Sequence, residues 1–117
     1  MQVKSIRDRV ADRASTGAGQ HLEALLHKAQ EIAREVVSPT TEAVDRDARW
    51  PEAGIRALQQ AGFGGLVVPA AYGGKGHGLL ALARVCEVLG QECASTAICF
   101  GMHSVGASVI SANATPD

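Results

Sequence analysis

A long segment near the C-terminus of this chain carries no charged side chain. No Asp, Glu, Lys or Arg occurs from Cys93 through Pro116, whereas 20% of the whole sequence is charged. The residues from about Thr96 to Ala112 predict a helix, and Ser95 or Thr96 can serve as its N-cap. Because this helix is apolar on every side, we expect it to be buried on every side, at the centre of a bundle.

A membrane span is the alternative explanation for the uncharged segment, because about 20 apolar residues suffice to cross a bilayer. His103 lies in the middle of the segment, however, and no basic cluster flanks either end to set a topology. Hydroxyl side chains also interrupt it, at Ser95, Thr96, Ser104, Ser108 and Ser111. We therefore predict no membrane span.

A regular helical pattern begins at His21 and runs to Val37. Its apolar residues recur at i, i+3, i+4 and i+7. They are Leu22, Leu25, Leu26, Ala29, Ile32, Ala33, Val36 and Val37. Pro39 lacks the amide hydrogen that a helix needs, so we expect either a kink or a short break before the pattern resumes.

Two more helices are expected between this pattern and the uncharged segment. One starts at Pro51 and ends at Gly62, which suits a left-handed helix stop.

Leu66-Val67-Val68-Pro69 is too short for a sheet and contains a proline, so we predict an extended segment that crosses the helices. The other helix spans about Leu79 to Glu92. Its predicted inward residues are Leu79, Leu82, Ala83, Cys86 and Leu89. The predicted fold class is all-α, an up-and-down bundle of about four to five helices with a glycine-rich loop.

The glycine-rich loop from Tyr72 to Gly78 admits two interpretations. Glycine-dense turns can direct backbone amides toward a phosphate. Gly74-Lys75-Gly76 lacks the Ser or Thr of a P-loop, and no GxGxxG motif follows a strand. We therefore favour a structural turn and expect Lys75 and His77 to be solvated. The glycines able to supply a positive φ are Gly73, Gly74, Gly76 and Gly78.

Composition and charge limit the partners of the chain. A formal net charge of −1 provides no basic surface for nucleic acid, so we expect no nucleic-acid partner. Three cysteines without a signal peptide favour a reducing, cytoplasmic location without disulfides. No cysteine or histidine spacing matches a zinc site, so we predict no bound metal.

Residues 1–19 mix basic and acidic side chains, and we predict a flexible N-terminal extension there, ending at Gly17-Ala18-Gly19.

Few side chains are candidates for catalysis. Asp45 and Asp47 flank an arginine, and a solvated helix end is a better interpretation than a catalytic carboxylate pair. His103 is either a core histidine bonded to a carbonyl or a pocket group, and its apolar surroundings favour the former. Cys93 and Cys99 have no charged activator nearby in the sequence, so we interpret them as buried small hydrophobes.

The order of these features resembles the N-terminal helical domain of the acyl-CoA dehydrogenases. The segment EIAREVVSPTTEAVDRDARWPEAGIRALQQAGFGGLVVPAAYGGKGHG contains a proline that interrupts the first helix and an acidic residue before a Trp-Pro helix start. It ends with AGFGGLVVP, followed by the motif YGGxG, in which x is any residue. The similarity continues through LARVCEVLGQECASTAICFGMHSVGASVI. It covers roughly residues 21 to 117, and we delimit the domain as residues 20–117, truncated at its C-terminal end.

The resemblance implies FAD-dependent α,β-dehydrogenation of an acyl thioester such as acyl-CoA. A glutamate removes the α-proton while the β-hydride passes to the flavin. In this family the glutamate and most flavin contacts lie in later domains, so no catalytic or flavin-binding residue is assigned here, and whether the chain alone is an enzyme stays open. The family's corresponding uncharged helix lines the acyl pocket. By that resemblance the pocket residues are Ala97, Ile98, Gly101, Met102 and Val105.

Three functions are consistent with the sequence. The chain is one wall of the acyl and flavin pocket of an acyl-CoA dehydrogenase, inactive without the remaining domains or a homo-oligomer. Alternatively, it is a non-catalytic helical interaction module, or the N-terminal domain of a related flavin monooxygenase or acyl-CoA oxidase. Three narrow apolar stripes can hardly cover an all-apolar helix, so we also expect open apolar surface and a chain that is marginally stable or oligomeric.

Overall fold

The computed structural model describes residues 17–115, which form a bundle of helices. The helices are α1 (Gly17–Ile32), α2 (Thr41–Arg46), α3 (Glu52–Gln60), α4 (Leu79–Glu92) and α5 (Ala94–Ala112). No residue within 17–115 lies in a strand, and the all-α prediction is confirmed. The predicted extension over residues 1–19 lies largely outside this range, but Gly17, Ala18 and Gly19 belong to α1 and do not end the extension in a break.

The chain passes from α1 to α2 without leaving helical geometry. A π-helical turn, Ala33–Val37, is followed by a 3₁₀ turn, Ser38–Thr40. Pro39 has no N–H for the carbonyl one turn earlier. The hydroxyl groups of Thr40 and Thr41 both donate to the Val37 carbonyl, at 2.9 and 3.2 Å. The proline therefore distorts the helix instead of breaking it.

The core is built from aliphatic side chains around two phenylalanines. Phe63 and Phe100 pack edge to face with ring centroids 6.4 Å apart. All eight apolar residues predicted for the first helix are buried or half-buried, as expected. At Gly54, α3 lies close to two neighbouring segments. A Cβ at this position would lie 3.0 Å from Val37 Cγ2 and 3.2 Å from Thr96 Cγ2, so the missing side chain permits the approach.

Helix α3 begins and ends close to the predicted residues. Pro51 is the residue before the first turn, one position earlier in the helix than expected. Gly62 has φ of 86° and donates its N–H to the Gln59 carbonyl at 3.0 Å, which confirms the left-handed stop.

The prediction of an extended segment at Leu66-Val67-Val68-Pro69 is wrong. A 3₁₀ turn, Phe63–Gly65, leads into further turns, and the Val68 N–H donates to the Gly65 carbonyl at 3.2 Å. A second 3₁₀ turn, Ala70–Tyr72, then reverses the chain. The β-branched pair is too short to form a strand, and backbone hydrogen bonds to the glycine-rich loop hold it as a folded turn.

Helix α4 is rotated relative to the sequence prediction. Its buried residues are Ala81, Val85 and Leu89, whereas Leu79 is 79% exposed and Ala83 is also exposed. The predicted inward residues Leu82 and Cys86 lie half-buried at the edge of the core. Because α4 is apolar on more than one side, the 3.6-residue periodicity fits two stripes equally well.

Helix α5 departs most from the prediction, because it is not buried on every side. Its inner face, formed by Thr96, Phe100 and Ser104, is buried. The opposite face is solvent-exposed and carries the large apolar side chains, so the expected open apolar surface lies here. Among the helices of residues 17–115, α5 is also the one that is long and apolar enough to cross a membrane, by length and composition alone. Only 17% of its most apolar segment is buried.

Candidate functional site

The exposed face of α5 carries a continuous line of large apolar side chains, which we call the outer stripe. Its members are Ile98, Met102, Val105 and Val109, with exposed fractions of 66, 64, 50 and 59%. They are separated by four, three and four residues, the spacing that aligns side chains along one face of a helix. The outer stripe lies opposite the buried inner face, so α5 contacts the core with its less apolar side.

The structure divides the five predicted pocket residues into two groups. Ile98, Met102 and Val105 lie together on the outer stripe. Ala97 and Gly101 are half-buried where α5 packs against α4. A Cβ at Gly101 would lie 3.5 Å from a cysteine sulfur of α4, and the Ala97 carbonyl lies 3.8 Å from the same Cys86 Sγ. Three of the five therefore face outward, and the assignment of all five to an acyl pocket stays a prediction.

One member of the outer stripe, Val109, was not among the residues predicted from sequence. Val109 continues the line one turn beyond Val105, and the signal that could have identified it is its spacing of four residues. The resulting surface has neither a titratable group nor a hydrogen-bond donor. It can remove an alkyl or other apolar group from water, and it can take no direct part in proton transfer.

His103 connects α5 to the turn that follows α3. Its Nε2 lies 2.8 Å from the Gly64 carbonyl oxygen, and the geometry assigns the proton to Nε2, which donates. The predicted bond to a carbonyl is therefore present, but the side chain is exposed and does not lie in the core. This bond helps to fix the rotation of α5, and hence the direction of the outer stripe.

The inner face of α5 buries two hydroxyl groups. Thr96 and Ser104 are each 1% exposed. Among the residues that the structure describes, Ser104 Oγ has no hydrogen-bond partner. An unpaired buried hydroxyl destabilises a fold, so the inner face is not optimised for packing alone.

The cysteines around α5 differ in environment. Cys93 is buried at the N-cap of α5, and Cys99 is half-buried. Desolvation raises the pKa of the Cys93 thiol, but hydrogen bonds with Thr96 and Thr41 outweigh it, so the pKa is lowered overall. Burial raises the pKa of Cys86. Cys93 is therefore buried as predicted but hydrogen-bonded to threonines, and Cys99 is less buried than predicted.

The glycine-rich loop is a structural turn. The backbone N–H groups of residues 75–77 donate to carbonyl groups within residues 65–68, at 2.8 to 2.9 Å. These amides are therefore paired with the preceding turn and do not point toward an anion. Gly73 and Gly76 have φ of 83° and 67°, as the structural interpretation requires. Lys75 is exposed as predicted, whereas His77 is half-buried.

The charged residues at the end of α2 form surface ion pairs. Arg46 donates to the Asp47 carboxylate at 2.9 Å, and Arg49 lies 3.6 Å from the same group. Asp45 and Asp47 are therefore part of a solvated helix end. Within residues 17–115, no three His, Cys, Asp or Glu side chains converge as they would to hold a metal ion.

Comparison with known proteins identifies a protein family. Residues 19–117 match the family model described as acyl-CoA dehydrogenase, N-terminal domain. The cyclohex-1-ene-1-carbonyl-CoA dehydrogenase of Geobacter metallireducens is 34% identical over 73 residues, which are 62% of this chain and 19% of that protein. The acryloyl-CoA reductase (NADH) of Anaerotignum propionicum is 24% identical over 110 residues, which are 94% of this chain and 27% of that protein. The 3-sulfinopropanoyl-CoA desulfinase of Variovorax paradoxus is 31% identical over 68 residues, which are 58% of this chain and 17% of that protein.

The chain spans about a sixth to a quarter of the length of these curated relatives. No solved structure matches it.

Proposed function

The chain belongs to the acyl-CoA dehydrogenase family through its N-terminal domain, and we propose that it forms one wall of the acyl pocket in an FAD-dependent acyl-CoA dehydrogenase. The observation that carries this proposal is the outer stripe of α5, an apolar surface that the rest of residues 17–115 leaves open. The proposed domain covers residues 20–117 and follows an N-terminal extension.

The outer stripe suits the acyl part of the substrate. From Ile98 to Val109 it extends about 16 Å along the helix axis, so it lines a chain instead of touching a single point. Each methylene group that it removes from water contributes about 0.8 kcal/mol to binding. Its role is therefore to orient the acyl chain and to exclude water from it.

The residues of this chain do not supply the chemistry of the reaction. The family uses FAD, which when bound supplies the hydride acceptor for the β-hydrogen. The outer stripe offers no polar group to a flavin ring, and the Nε2 of the nearest histidine, His103, already binds a backbone carbonyl. The base and most flavin contacts come from the rest of the complete polypeptide, so the 117-residue chain alone is inactive.

The named relatives support a coenzyme A thioester as the substrate class. All three names include a CoA thioester, although one protein is a dehydrogenase, one a reductase and one a desulfinase. This pattern favours an acyl-CoA substrate over the substrates of a flavin monooxygenase, and an acyl-CoA oxidase remains the nearest alternative. The proposed location is the cytoplasm.

An interaction module is the second candidate, because the same exposed stripe suits an apolar surface of a protein partner. The match of residues 19–117 to an enzyme domain favours the pocket wall. The two candidates differ in their response to acyl-CoA, because only a pocket wall changes the kinetics of an acyl substrate.

A chimeric enzyme tests the proposal. Residues 19–117 replace the N-terminal domain of an acyl-CoA dehydrogenase that accepts straight-chain substrates, and KM and kcat are measured with acyl-CoA substrates of increasing chain length. Met102→Trp fills the surface that the acyl chain needs, so we expect KM for the longer substrates to rise about tenfold or more, with kcat for the shortest unchanged. Gln91→Trp, at an exposed position of α4, is the matched control. Equal effects of the two substitutions would refute the proposal.

A further inference from the structure

We propose that the chain binds a phosphorylated small molecule in a groove between α1 and the glycine-rich loop, which we call the basic groove. The groove has a volume of about 700 Å³, within the usual range of small-molecule sites. The polar side chains on its rim are two lysines and two histidines: His21, Lys28, Lys75 and His77. The proposed function uses none of these residues.

The charge of the basic groove has one sign. Among the residues that the structure describes, no Asp or Glu lines the groove, although the chain as a whole has a net charge of −1. The lysine ammonium groups and the imidazole N–H groups donate hydrogen bonds, and an anion accepts them. The electrostatic potential of the groove therefore favours an anionic ligand.

One side of the rim is a single face of α1. His21 and Lys28 are seven residues apart, so they lie on the same face at a spacing of about 10 Å. Lys28 also lies 3.2 Å from Glu31, in a pair whose side chains are 53 and 43% exposed. Because such an exposed pair contributes little free energy, an anionic ligand can compete with Glu31 for Lys28.

The other side of the rim is held in place by the backbone. The N–H groups of Lys75 and His77 donate to the Gly65 and Leu66 carbonyl groups, each at 2.9 Å. The side chain of Lys75 passes over Gly62, where an added Cβ would lie 3.1 Å from Cε and 3.4 Å from Nζ. The glycine therefore leaves room for the lysine. Since the backbone amides of this loop are paired, the side chains must hold the anion.

The floor of the basic groove is apolar and selects the rest of the ligand. It includes Leu25, Ala61 and Phe63. Lysine binds phosphate as a compact point charge, and a phosphate monoester carries close to two negative charges, which match two ammonium groups. An inorganic phosphate would leave the apolar floor in contact with water. The ligand class that fits both parts is a phosphate monoester with an apolar or aromatic body.

The basic groove lies across the core from the outer stripe. Phe63 in its floor packs against Phe100, which belongs to the buried inner face of α5. The outer stripe is on the opposite face of that helix. A ligand in the basic groove is therefore a different molecule from an acyl group on the outer stripe, and this inference does not depend on the proposed function.

Titration of the 117-residue chain with naphthyl phosphate, followed by amide NMR spectra, tests the inference. We expect the amide signals of residues 75–77 to shift. Inorganic phosphate, which lacks the apolar body, and naphthol, which lacks the charge, should both bind more weakly. Sodium chloride should weaken binding because it screens the charges. Equal affinities for naphthyl phosphate and naphthol would overturn the inference, since the basic rim would then take no part in binding.

Two substitutions on opposite sides of the groove test the rim. Lys28→Gln and Lys75→Gln each remove one ammonium group, so we expect each to weaken naphthyl phosphate binding about fivefold and the double variant to weaken it at least about tenfold. Arg34→Gln removes the same charge from an exposed position outside the groove and should leave binding unchanged. Far-UV circular dichroism verifies that each variant keeps its helices. Full affinity in the double variant, or an equal loss in Arg34→Gln, would contradict a specific site.

The chimeric enzyme separates this inference from the proposed function. In the presence of the remaining domains, Lys28→Gln and Lys75→Gln should weaken naphthyl phosphate binding by the same factors and leave KM for acyl-CoA unchanged. A rise in KM for acyl-CoA in both variants would overturn the inference, because the groove would then serve the acyl-CoA substrate.

Vesicles distinguish two sources of the phosphate group. Cosedimentation with phosphatidylcholine vesicles that contain phosphatidic acid, lost in the double lysine variant, would support a phosphate site that takes a lipid headgroup. Naphthyl phosphate binding without cosedimentation would support a soluble phosphate monoester. Binding of an acidic peptide that contains leucine, with no binding of naphthyl phosphate, would overturn the inference and assign the groove to a protein partner.

Discussion

Replacing Gly74 by alanine tests how the glycine-rich loop is held together. A Cβ at Gly74 would overlap the backbone carbonyl group of Val68, and a carbonyl group cannot move aside as a flexible side chain can. Gly74 has no positive φ, so alanine causes no backbone strain of its own there. Gly73 is the matched control. Its φ is 83°, but nothing lies within 4 Å of a Cβ added at this position.

The expected magnitudes follow from these two environments. In Gly74→Ala the loop must open, which weakens the three backbone hydrogen bonds between residues 75–77 and 65–68. At about 1 kcal/mol each, their loss destabilises the fold by about 3 kcal/mol. Gly73→Ala forces alanine into the left-handed region, which costs about 1 kcal/mol. The difference of about 2 kcal/mol therefore reports the contact with Val68.

Urea unfolding followed by far-UV circular dichroism measures both changes. The experiment is done at one protein concentration and with the same amount of trimethylamine N-oxide throughout, which keeps a marginally stable chain folded in the absence of urea. A free energy of unfolding for Gly74→Ala that equals or exceeds that of Gly73→Ala would refute the reasoning, because loop closure would then not depend on the missing side chain.

Three further substitutions have expected outcomes in the same unfolding assay. Ser104→Ala removes an unpaired buried hydroxyl and should raise the free energy of unfolding by about 1 kcal/mol, whereas a loss would reveal a partner for that hydroxyl. Gly90→Ala, inside α4, places a Cβ 3.7 Å from Ala97 Cβ and should stabilise the fold by about 1 kcal/mol through helix propensity, so destabilisation would mean that α4 and α5 pack more closely. His103→Ala removes the bond to the Gly64 carbonyl and should destabilise the fold by about 1 kcal/mol, and no change would show that other contacts fix the rotation of α5.

The helices that alternate sharply between apolar and polar residues were predictable from sequence. In α1 and the π-helical turn that follows it, the polar side chains occupy one face, so a single apolar stripe fits the pattern. All eight residues predicted for this stripe face or border the core. The stop of α3 at Gly62 was predictable for a different reason, since glycine adopts the left-handed conformation without steric cost.

The orientation of α4 and α5 was not predictable in this way. Leu79 and Ala83 were expected inside but are exposed, because α4 offers two apolar stripes and periodicity cannot choose between them. In α5 the absence of charge suggested burial on all sides. A helix whose second face is covered by a ligand, by further domains or by another chain has the same composition, and sequence alone does not show which neighbour provides the cover.

The candidate site was predictable only in part for the same reason. The resemblance to a family named Ile98, Met102 and Val105, which the structure places together on the outer stripe. It also named Ala97 and Gly101, which lie half-buried against α4, because a list of neighbouring residues does not include the rotation of the helix. That rotation depends on tertiary contacts such as the bond from His103 to the Gly64 carbonyl.

The most direct test of the pocket wall is photo-crosslinking in the chimeric enzyme. An acyl-CoA with a diazirine near the end of its acyl chain is bound and irradiated, and mass spectrometry locates the modified residues. We expect adducts on Ile98, Met102 or Val105, which a competing unlabelled acyl-CoA suppresses and Met102→Trp reduces. Adducts confined to other segments, with none between Ala94 and Ala112, would contradict the claim that α5 lines the acyl pocket.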